Sequence, residues 1–479
     1  MKQFLPFFFF AIISINANSQ QKWNLKSVVE HAMENNITVK QSEVQARING
    51  LTYKQSKLSQ FPDASFSTSA SVNSGSNQDP TSFSRITQTY TAASLQLQTS
   101  AEIFNFFSKQ NTIQGNKWEL AASFANVGKL KNDIALTAAN GYLQVLLAKE
   151  QENVTLVQVQ QTSAQLANTR KLVNAGALPE LNAAQLEAQI SFDSVNYITS
   201  KGNVSQAILL LKSYMNIDAA APFEVETPPI ESIPVEPIGE LQPDFVYQLA
   251  LTNQPLQQVN KFRLKAAESY VKAARGAMYP TLLAFGSLGS GYNNQARTIT
   301  GYTQTLSPDV INIGTVNVGG TNYNVVTQPV FTSATFAKPE FNDQLSDNFR
   351  QSVGLNLSVP IFNGASLRTN YQRNKLNIET LKLQQIQDDQ NLKQDIYQAY
   401  NAAVVALEKF NASKKNVEIN ERTFNFASKR FDVGMLSTFD LITTQNNLLR
   451  ARLEYTINQF DYVFKMKVLE FYKGQGLKL

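Results

Sequence analysis

Ile103-Phe104-Asn105 opens a run that closes at Val173-Asn174-Ala175-Gly176, and Ile361-Phe362-Asn363 opens a second that closes at Phe431-Asp432-Val433-Gly434. In both runs the Phe and the Gly stand 72 positions apart. Asn116/Asn374, Lys117/Lys375, Tyr142/Tyr400, Glu150/Glu408, Lys171/Lys429 and Leu178/Leu436 hold the same register. No proline falls between Pro80 and Pro179, or after Pro360. A proline-free run of this length, rich in Leu, Ala, Gln, Lys and Glu, predicts one continuous α-helix. At 1.5 Å per residue each would be about 110 Å long, against roughly 30 Å for the hydrocarbon of a bilayer.

The remaining chain falls into the same duplicated order. A helix predicted over 24–60 reappears over 244–279 at an offset of 218, through Val28/Val246, Ala32/Ala250, Asn35/Asn253, Lys54/Lys272 and Pro62/Pro280. Each proline ends its helix and opens a region of alternating residues. Ala64, Phe66, Thr68 and Ala70 alternate with polar residues, as do Leu95, Leu97, Thr99, Ala101 and Ile103. In the second copy Val353, Leu355, Leu357, Val359 and Ile361 do the same, with a glycine-interrupted partner over 281–290. These spans predict two β-hairpins, with strands at about 62–72, 93–103, 281–290 and 350–361. Their 9–11 residues suit tilted membrane strands. Alternation alone favours four half-buried strands of a soluble sheet. The intervening segments, 72–93 and 291–350, are expected to be polar loops. The second is longer by 40 residues, which moves the offset from 218 to 258.

After each long helix a tight turn leads into a returning helix. In the first copy Gly176 supplies the left-handed stop and Pro179 suits the first turn of the next helix. In the second, Gly434 stops the helix and Ser437-Thr438-Phe439-Asp440 reads as a capping box. The return helices are expected over 181–215 and 439–472. Leu441, Leu448, Tyr455, Tyr462 and Leu469 fall at seven-residue steps, a coiled-coil seam. Return and leading half-helices together match one long helix in length. Between the repeats, residues 218–243 hold six of the 16 prolines and predict an extended crossing segment.

Composition narrows the chemistry. The chain has no cysteine, one histidine (His31), and a net charge of +5 spread along its length. Disulfides, thiolate metal sites and cysteine catalysis are thereby excluded, and histidine-rich metal or acid–base sites are disfavoured. The absence of a dense basic block argues against a nucleic-acid partner. No cofactor site and no nucleotide-binding glycine-rich loop is legible. Residues 1–19 read as a signal peptide: Met1-Lys2, an apolar core over 4–15, and small residues at Ala17-Asn18-Ser19. Twelve or so apolar residues are too few to span a bilayer as a helix. Nothing after them resembles a transmembrane helix, so passage through a membrane would have to be made by β-strands.

Two repeats of helix, β-hairpin, long helix, turn and half-helix behind a signal peptide resemble the TolC family of outer-membrane efflux channels. The resemblance covers about 20–473. It rests on Val359-Pro360-Ile361-Phe362-Asn363-Gly364 and Ala101-Glu102-Ile103-Phe104-Asn105 entering the long helices, and on the turns at 174–182 and 432–440. It implies a mainly α fold with a membrane β part: a homotrimer whose 12-stranded β-barrel continues as an α-helical tunnel into the periplasm. Strand number points the same way, since four strands cannot close a barrel and eight leave an interior filled by side chains. The first repeat would occupy 20–216, the crossing segment 217–243 and the second repeat 244–479.

The resemblance further implies a passive exit duct of a tripartite efflux or type I secretion system, in the outer membrane and reaching into the periplasm. Its partners would be a periplasmic adaptor (membrane fusion protein), an inner-membrane pump and outer-membrane lipid. The turns would form the adaptor-docking tip, through Arg170, Lys171, Leu172, Gly176 and Leu178 in one copy and Lys429, Arg430, Phe431, Gly434, Leu436 and Ser437 in the other. Glycine caps and basic helix ends account for some of these residues without any docking. Asp440, six residues after the turn glycine, is the candidate for a constricting acidic ring; Asn182 stands at the matching place, and Thr443 and Gln185 support no second ring. A plain helix cap is an equal role for Asp440. A pore-free coiled-coil spacer or adaptor is the alternative. It explains the helices and the leader but not the paired hairpins. An enzyme is the weakest reading, because no catalytic constellation is legible.

Overall fold

The computed structural model describes residues 22–78 and 83–474; the leader expected at 1–19 lies outside the described residues. In chain order the elements are α1 (Leu25–Asn35), α2 (Ile37–Leu58), β1 (Asp63–Gln78), β2 (Arg85–Phe104), α3 (Ser108–Asn174) and α4 (Glu180–Met215). Then come α5 (Pro243–Asn253), α6 (Pro255–Gly276), β3 (Thr281–Asn293), β4 (Thr298–Leu306), β5 (Ile311–Val318), β6 (Thr321–Thr327) and β7 (Val330–Ala337). The chain ends with α7 (Phe341–Asp347), β8 (Arg350–Ser358), α8 (Ser366–Asp432) and α9 (Thr438–Tyr472). Two compact units result. One is helical, built from residues up to Tyr53, Gln114–Ser269 and residues from Asn374; the other holds the strands, over Lys54–Ile113 and Tyr270–Arg373.

Duplication is visible in the core of the helical unit. One cluster packs Val28, Ala32, Ala138, Val145 and Leu211. The other packs Val246, Ala250, Ile396, Ala403 and Leu469, the same positions shifted by 218 or 258. The proline-rich segment joins both: Val225, Ile230 and Ile233 enter the first cluster, and Val235, Ile238 and Leu241 the second. The paired tyrosines hold it. Tyr142 donates its hydroxyl to the Glu226 carbonyl at 2.8 Å, and the Gln242 amide donates to the Tyr400 hydroxyl at 3.2 Å. Next to the second cluster, the buried Lys467 bonds Glu470 at 2.9 Å, and Glu470 accepts the Glu236 N–H. Each charge is thus compensated where burial would otherwise penalise it.

The leading helices differ from expectation: each is two helices. The first breaks at Asn36, the second at Gln254, where Pro255 drives its predecessor to extended backbone (ψ 130). No proline marks the first break. Both breaks serve the return helices. Asn36 donates its side-chain amide to the Tyr214 carbonyl at the end of α4 (2.9 Å). Gln254, its equivalent, donates to the Phe471 and Tyr472 carbonyls at the end of α9. Orphan carbonyls of two helix C-termini are thereby satisfied in the same way in both repeats.

In the strand unit, β1, β2, β3 and β8 form one antiparallel sheet in that order, so the two repeats meet at the β2–β3 pairing. One face is an apolar band in register: Phe66 beside Leu97 and Leu288, then Thr99, Gly286 and Val353, then Ala101, Ala284 and Leu355. The other carries Ser65, Gln98, Ser287 and Ser352 in one row and Ser69 bonded to Ser94 in another. Gly354 interrupts the polar face for a steric reason, since a Cβ there would lie 2.7 Å from the Phe285 ring. The apolar band is uncovered, with Val353 90% and Leu355 70% exposed.

The motif that opens each long helix is a backbone device. Phe106 and Phe107 have φ of 49° and 61°, and their equivalents Gly364 and Ala365 have 64° and 62°. Two successive left-handed residues turn strand into helix, at roughly 1–2 kcal/mol for each non-glycine. Packing offsets this in the first copy. Phe106 stacks on Tyr279 at 4.8 Å and meets Phe104 at 4.9 Å. With Phe61, Phe107 and Phe362, which are well exposed, they supply aromatic residues of the kind that collects at membrane interfaces.

The strand lengths and the loops also differ from expectation. β1 and β2 pair out to Gln78 and Arg85, so most of 72–93 is strand. Both faces there are mostly polar, which leaves no alternation to read. The segment expected to be a 291–350 loop holds a ribbon instead. β4 pairs β7, β5 pairs β6 through a Gly319-Gly320 turn, and α7 follows. Pro179 stands as the N-cap of α4, one residue earlier than expected.

Burial pushes the Tyr142 phenol up to about 12. Its contribution to stability is therefore present below pH 10, the ordinary tyrosine value. It falls as pH rises from there toward 12, because the unfolded chain gives up the proton first. Tyr142→Phe keeps the packing and strands the Glu226 carbonyl, for an expected loss of about 1–3 kcal/mol. Urea unfolding followed by helical circular dichroism checks both parts. The midpoint should drop at pH 8, and the gap between variant and parent should narrow above pH 10.

Candidate functional site: the paired helical turns

The α3–α4 and α8–α9 turns are copies in detail. Gly176 has φ +75° and Gly434 +76°. The Gly176 N–H donates to Val173 and the Ala177 N–H to Leu172; Gly434 donates to Phe431 and Met435 to Arg430. This pair of bonds closing around a left-handed residue is a Schellman motif. No atom lies within 4 Å of a Cβ built on either glycine, so the backbone angle, not crowding, calls for glycine there.

Side chains then bring the turns together. Leu178 of the first and Leu436 of the second, with Phe424, pack on Phe431, Leu441 and Ala427. Leu441 is fully buried and Phe431 nearly so. Of the residues expected at the tip, Leu178, Phe431 and Leu436 thus hold the turns to each other. Lys171, Leu172, Gly176, Lys429, Arg430, Gly434 and Ser437 are exposed. Arg170 is engaged within the chain, paired with Glu187 and Glu180 across the turn. Those carboxylates, Glu187 foremost, hold its guanidinium above its ordinary value. Ser437 caps α9 by accepting the Asp440 N–H at 3.1 Å, and the Asp440 carboxylate accepts the Ser437 hydroxyl at 2.7 Å. Asp440 is exposed.

Sequence reasoning missed two features. Leu181, Val433, Met435 and Phe439 are 64%, 67%, 71% and 68% exposed around the turns. The signal was there, in apolar residues at places where turns ordinarily carry polar ones. The second feature is a polar layer joining three helices. Thr162 on α3 donates to Asp193 on α4 at 2.6 Å and accepts from Gln445 on α9 at 3.0 Å. Gln189 bonds both Asp193 and Asn446. Asp193 is 1% exposed and Thr162 fully buried, so this layer fixes one register among helices that apolar seams alone would let slide.

Phe431→Ala should loosen the turns without unfolding the chain. Emptying that position should cost about 3 kcal/mol locally. Limited proteolysis should then cut near 424–441 faster, with helical content unchanged. Unchanged cleavage would mean that the cluster does not hold the turns.

The sequence pattern of the outer membrane efflux protein family matches residues 28–216 and 246–462. The two segments begin at Val28 and Val246, the pair equated above. Among curated relatives, the toluene efflux pump outer membrane protein TtgC of Pseudomonas putida is 20% identical over 451 residues, covering 91% of this chain and 81% of TtgC. Among solved structures, CusC superposes with a TM-score of 0.74 at 14% identity, covering 94% of this chain and 92% of that one. The outer membrane channel CmeC of Campylobacter jejuni gives 0.72 at 17% identity, covering 95% and 86%. At such identities the structures establish a shared fold. With the family pattern matched across both repeats, the chain belongs to the outer membrane efflux protein family.

Proposed function

We propose that three copies of this chain form the passive outer-membrane exit duct of a tripartite efflux system. The observation that carries the reading is the four-stranded sheet: one layer thick, apolar on one face, serine- and glutamine-rich on the other, with both edges unpaired within the chain. An apolar face with no protein cover suits lipid, and a polar face suits a water-filled lumen. Open edges inside a bilayer are not viable, so the sheet must close with further copies. Three copies supply 12 strands, the smallest multiple of four that leaves an open interior. A pore-free spacer would leave this sheet without a purpose. Among the described residues no helix is long and apolar enough to cross a membrane, and the strands take that role.

The first repeat (20–216), the crossing segment (217–243) and the second repeat (244–479) then each give one part of the duct wall behind a leader at 1–19. The paired turns are its periplasmic end. There the exposed Lys171, Leu172, Lys429, Arg430 and Ser437, joined by Val433, Met435 and Phe439, meet a periplasmic adaptor that delivers substrate from an inner-membrane pump. Arg170, Leu178, Phe431 and Leu436 shape that end from within. The duct does no chemistry of its own; the pump supplies the energy.

Replacing Gly176 or Gly434 with Val places a β-branched residue at a left-handed angle, a strain of at least roughly 1–2 kcal/mol. Assembly should survive, while efflux and crosslinking to the adaptor fall. Wild-type efflux in both variants would remove the docking assignment.

Asp440 is assigned to a ring of three carboxylates at that end, where a narrow passage focuses their field and attracts cations. Asp440→Asn keeps an acceptor for Ser437 and removes three charges per trimer. In planar-bilayer recordings, cation selectivity and block by multivalent cations should both weaken. Unchanged selectivity with intact trimer yield would leave Asp440 only as the cap of α9.

A further inference from the structure

Among the described residues the β4–β7 ribbon has no counterpart in the first repeat, and its outer half is amphipathic. In the β5–β6 pairing Val316 faces Tyr323, Gly314 faces Val325 and Ile311 faces Thr327. Directly paired residues share a face, and so do residues two apart. Ile311, Val316, Val318, Tyr323 and Val325 therefore line one face, all 41–60% exposed. The opposite face is mainly polar: Thr315 is paired with Asn324, Asn317 is bonded to Asn322 at 2.7 Å, and Asn312 is paired with Val326, the one apolar residue paired on that side. A two-stranded ribbon is marginal by itself and needs its apolar face covered.

Charge identifies the cover. Between Arg297 and Lys338 the only charged residue is Asp309. A ribbon laid against anionic headgroups or a charged partner would be expected to carry complementary charge. A three-fold contact that draws the same face of each copy toward a common axis sets like charge against like charge, and therefore favours an uncharged face. The ribbon also leaves the sheet between β3 and β8, the strand next to the open edge and that edge itself. Its base is clamped there, where the buried Gln344 of α7 accepts the Asn293 N–H at 2.9 Å and Asn348 bonds the Gly291 carbonyl. Closing the sheet with other copies thus brings one ribbon per copy to the same end of the barrel.

We infer that the Ile311–Val316–Val318–Tyr323–Val325 face is an interface between copies of this chain, three ribbons packing apolar face to apolar face beyond the barrel. This rests on the trimeric reading above. The inward Val, Ile and Tyr side chains form the contact, and the mainly Thr/Asn face meets water.

The cysteine-free chain allows a direct test in full-length protein on intact cells. Val316→Cys and Thr315→Cys sit on adjacent residues of opposite faces. With a short bis-maleimide, Val316→Cys should give covalent dimers and Thr315→Cys none. A bulky, membrane-impermeant maleimide should label Thr315→Cys and not Val316→Cys. Equal labelling with no crosslink would show an open face and overturn the proposal. Protection of Val316→Cys without crosslinking would mean that lipid or another molecule covers the face, and would overturn it equally. Light scattering of the extracted parent protein separates the two levels. A trimer without ribbon crosslinks removes this interface and leaves the duct, whereas no trimer removes both.

Discussion

An open antiparallel sheet whose two edge strands and whole apolar face lack partners is the constraint from which the rest follows. Each edge presents a row of backbone donors and acceptors, and in hydrocarbon each unpaired group costs several kcal/mol. β1 and β8 are those edges. Neither edge strand holds a proline or a lysine, and each carries a charge only at its first residue, Asp63 and Arg350. The four strands are long, and the only cover among the described residues is the short α7 at the end of β3. Under the proposed function the sheet closes by pairing with copies of itself in lipid.

In the helical unit duplication does the corresponding work. Tyr142 and Tyr400 bond opposite ends of one proline-rich segment, and Asn36 and Gln254 cap opposite return helices. Two core clusters at equivalent positions are thereby tied through a single crossing. Below them the Thr162–Asp193–Gln445 layer registers α3, α4 and α9, and the Phe431–Leu441 cluster, on which Leu178 and Leu436 both pack, registers the two turns. Specificity in these long helices comes from a few polar layers and caps. Apolar stripes repeating every seven residues are nearly degenerate under sliding.

What could be read from the sequence follows from which residues have narrow conformational roles. Gly176 and Gly434 announce left-handed caps, and the proline-free runs announce α3 and α8, because few other residues suit those conformations. The seam of Leu441, Leu448 and Leu469 is legible by period and is buried. The break at Asn36 was not legible, since it depends on a tertiary bond to Tyr214 and Ile37 gives no sign of it. Nor were the outer parts of β1 and β2, where both faces are mostly polar, or the ribbon, whose apolar residues are diluted by Asn and Thr. At the turns, the basic residues looked alike in sequence. Only the positions of Glu180 and Glu187 separate the paired Arg170 from its exposed neighbour Lys171.

Hydrogen–deuterium exchange of the protein in outer-membrane vesicles tests edge closure most directly. In a closed barrel the outward-facing amides of β1 and β8 should exchange as slowly as those of β2 and β3, because every edge group is paired. Fast exchange confined to β1 and β8, with β2 and β3 protected, would mean that the sheet stays open and that the chain builds no barrel.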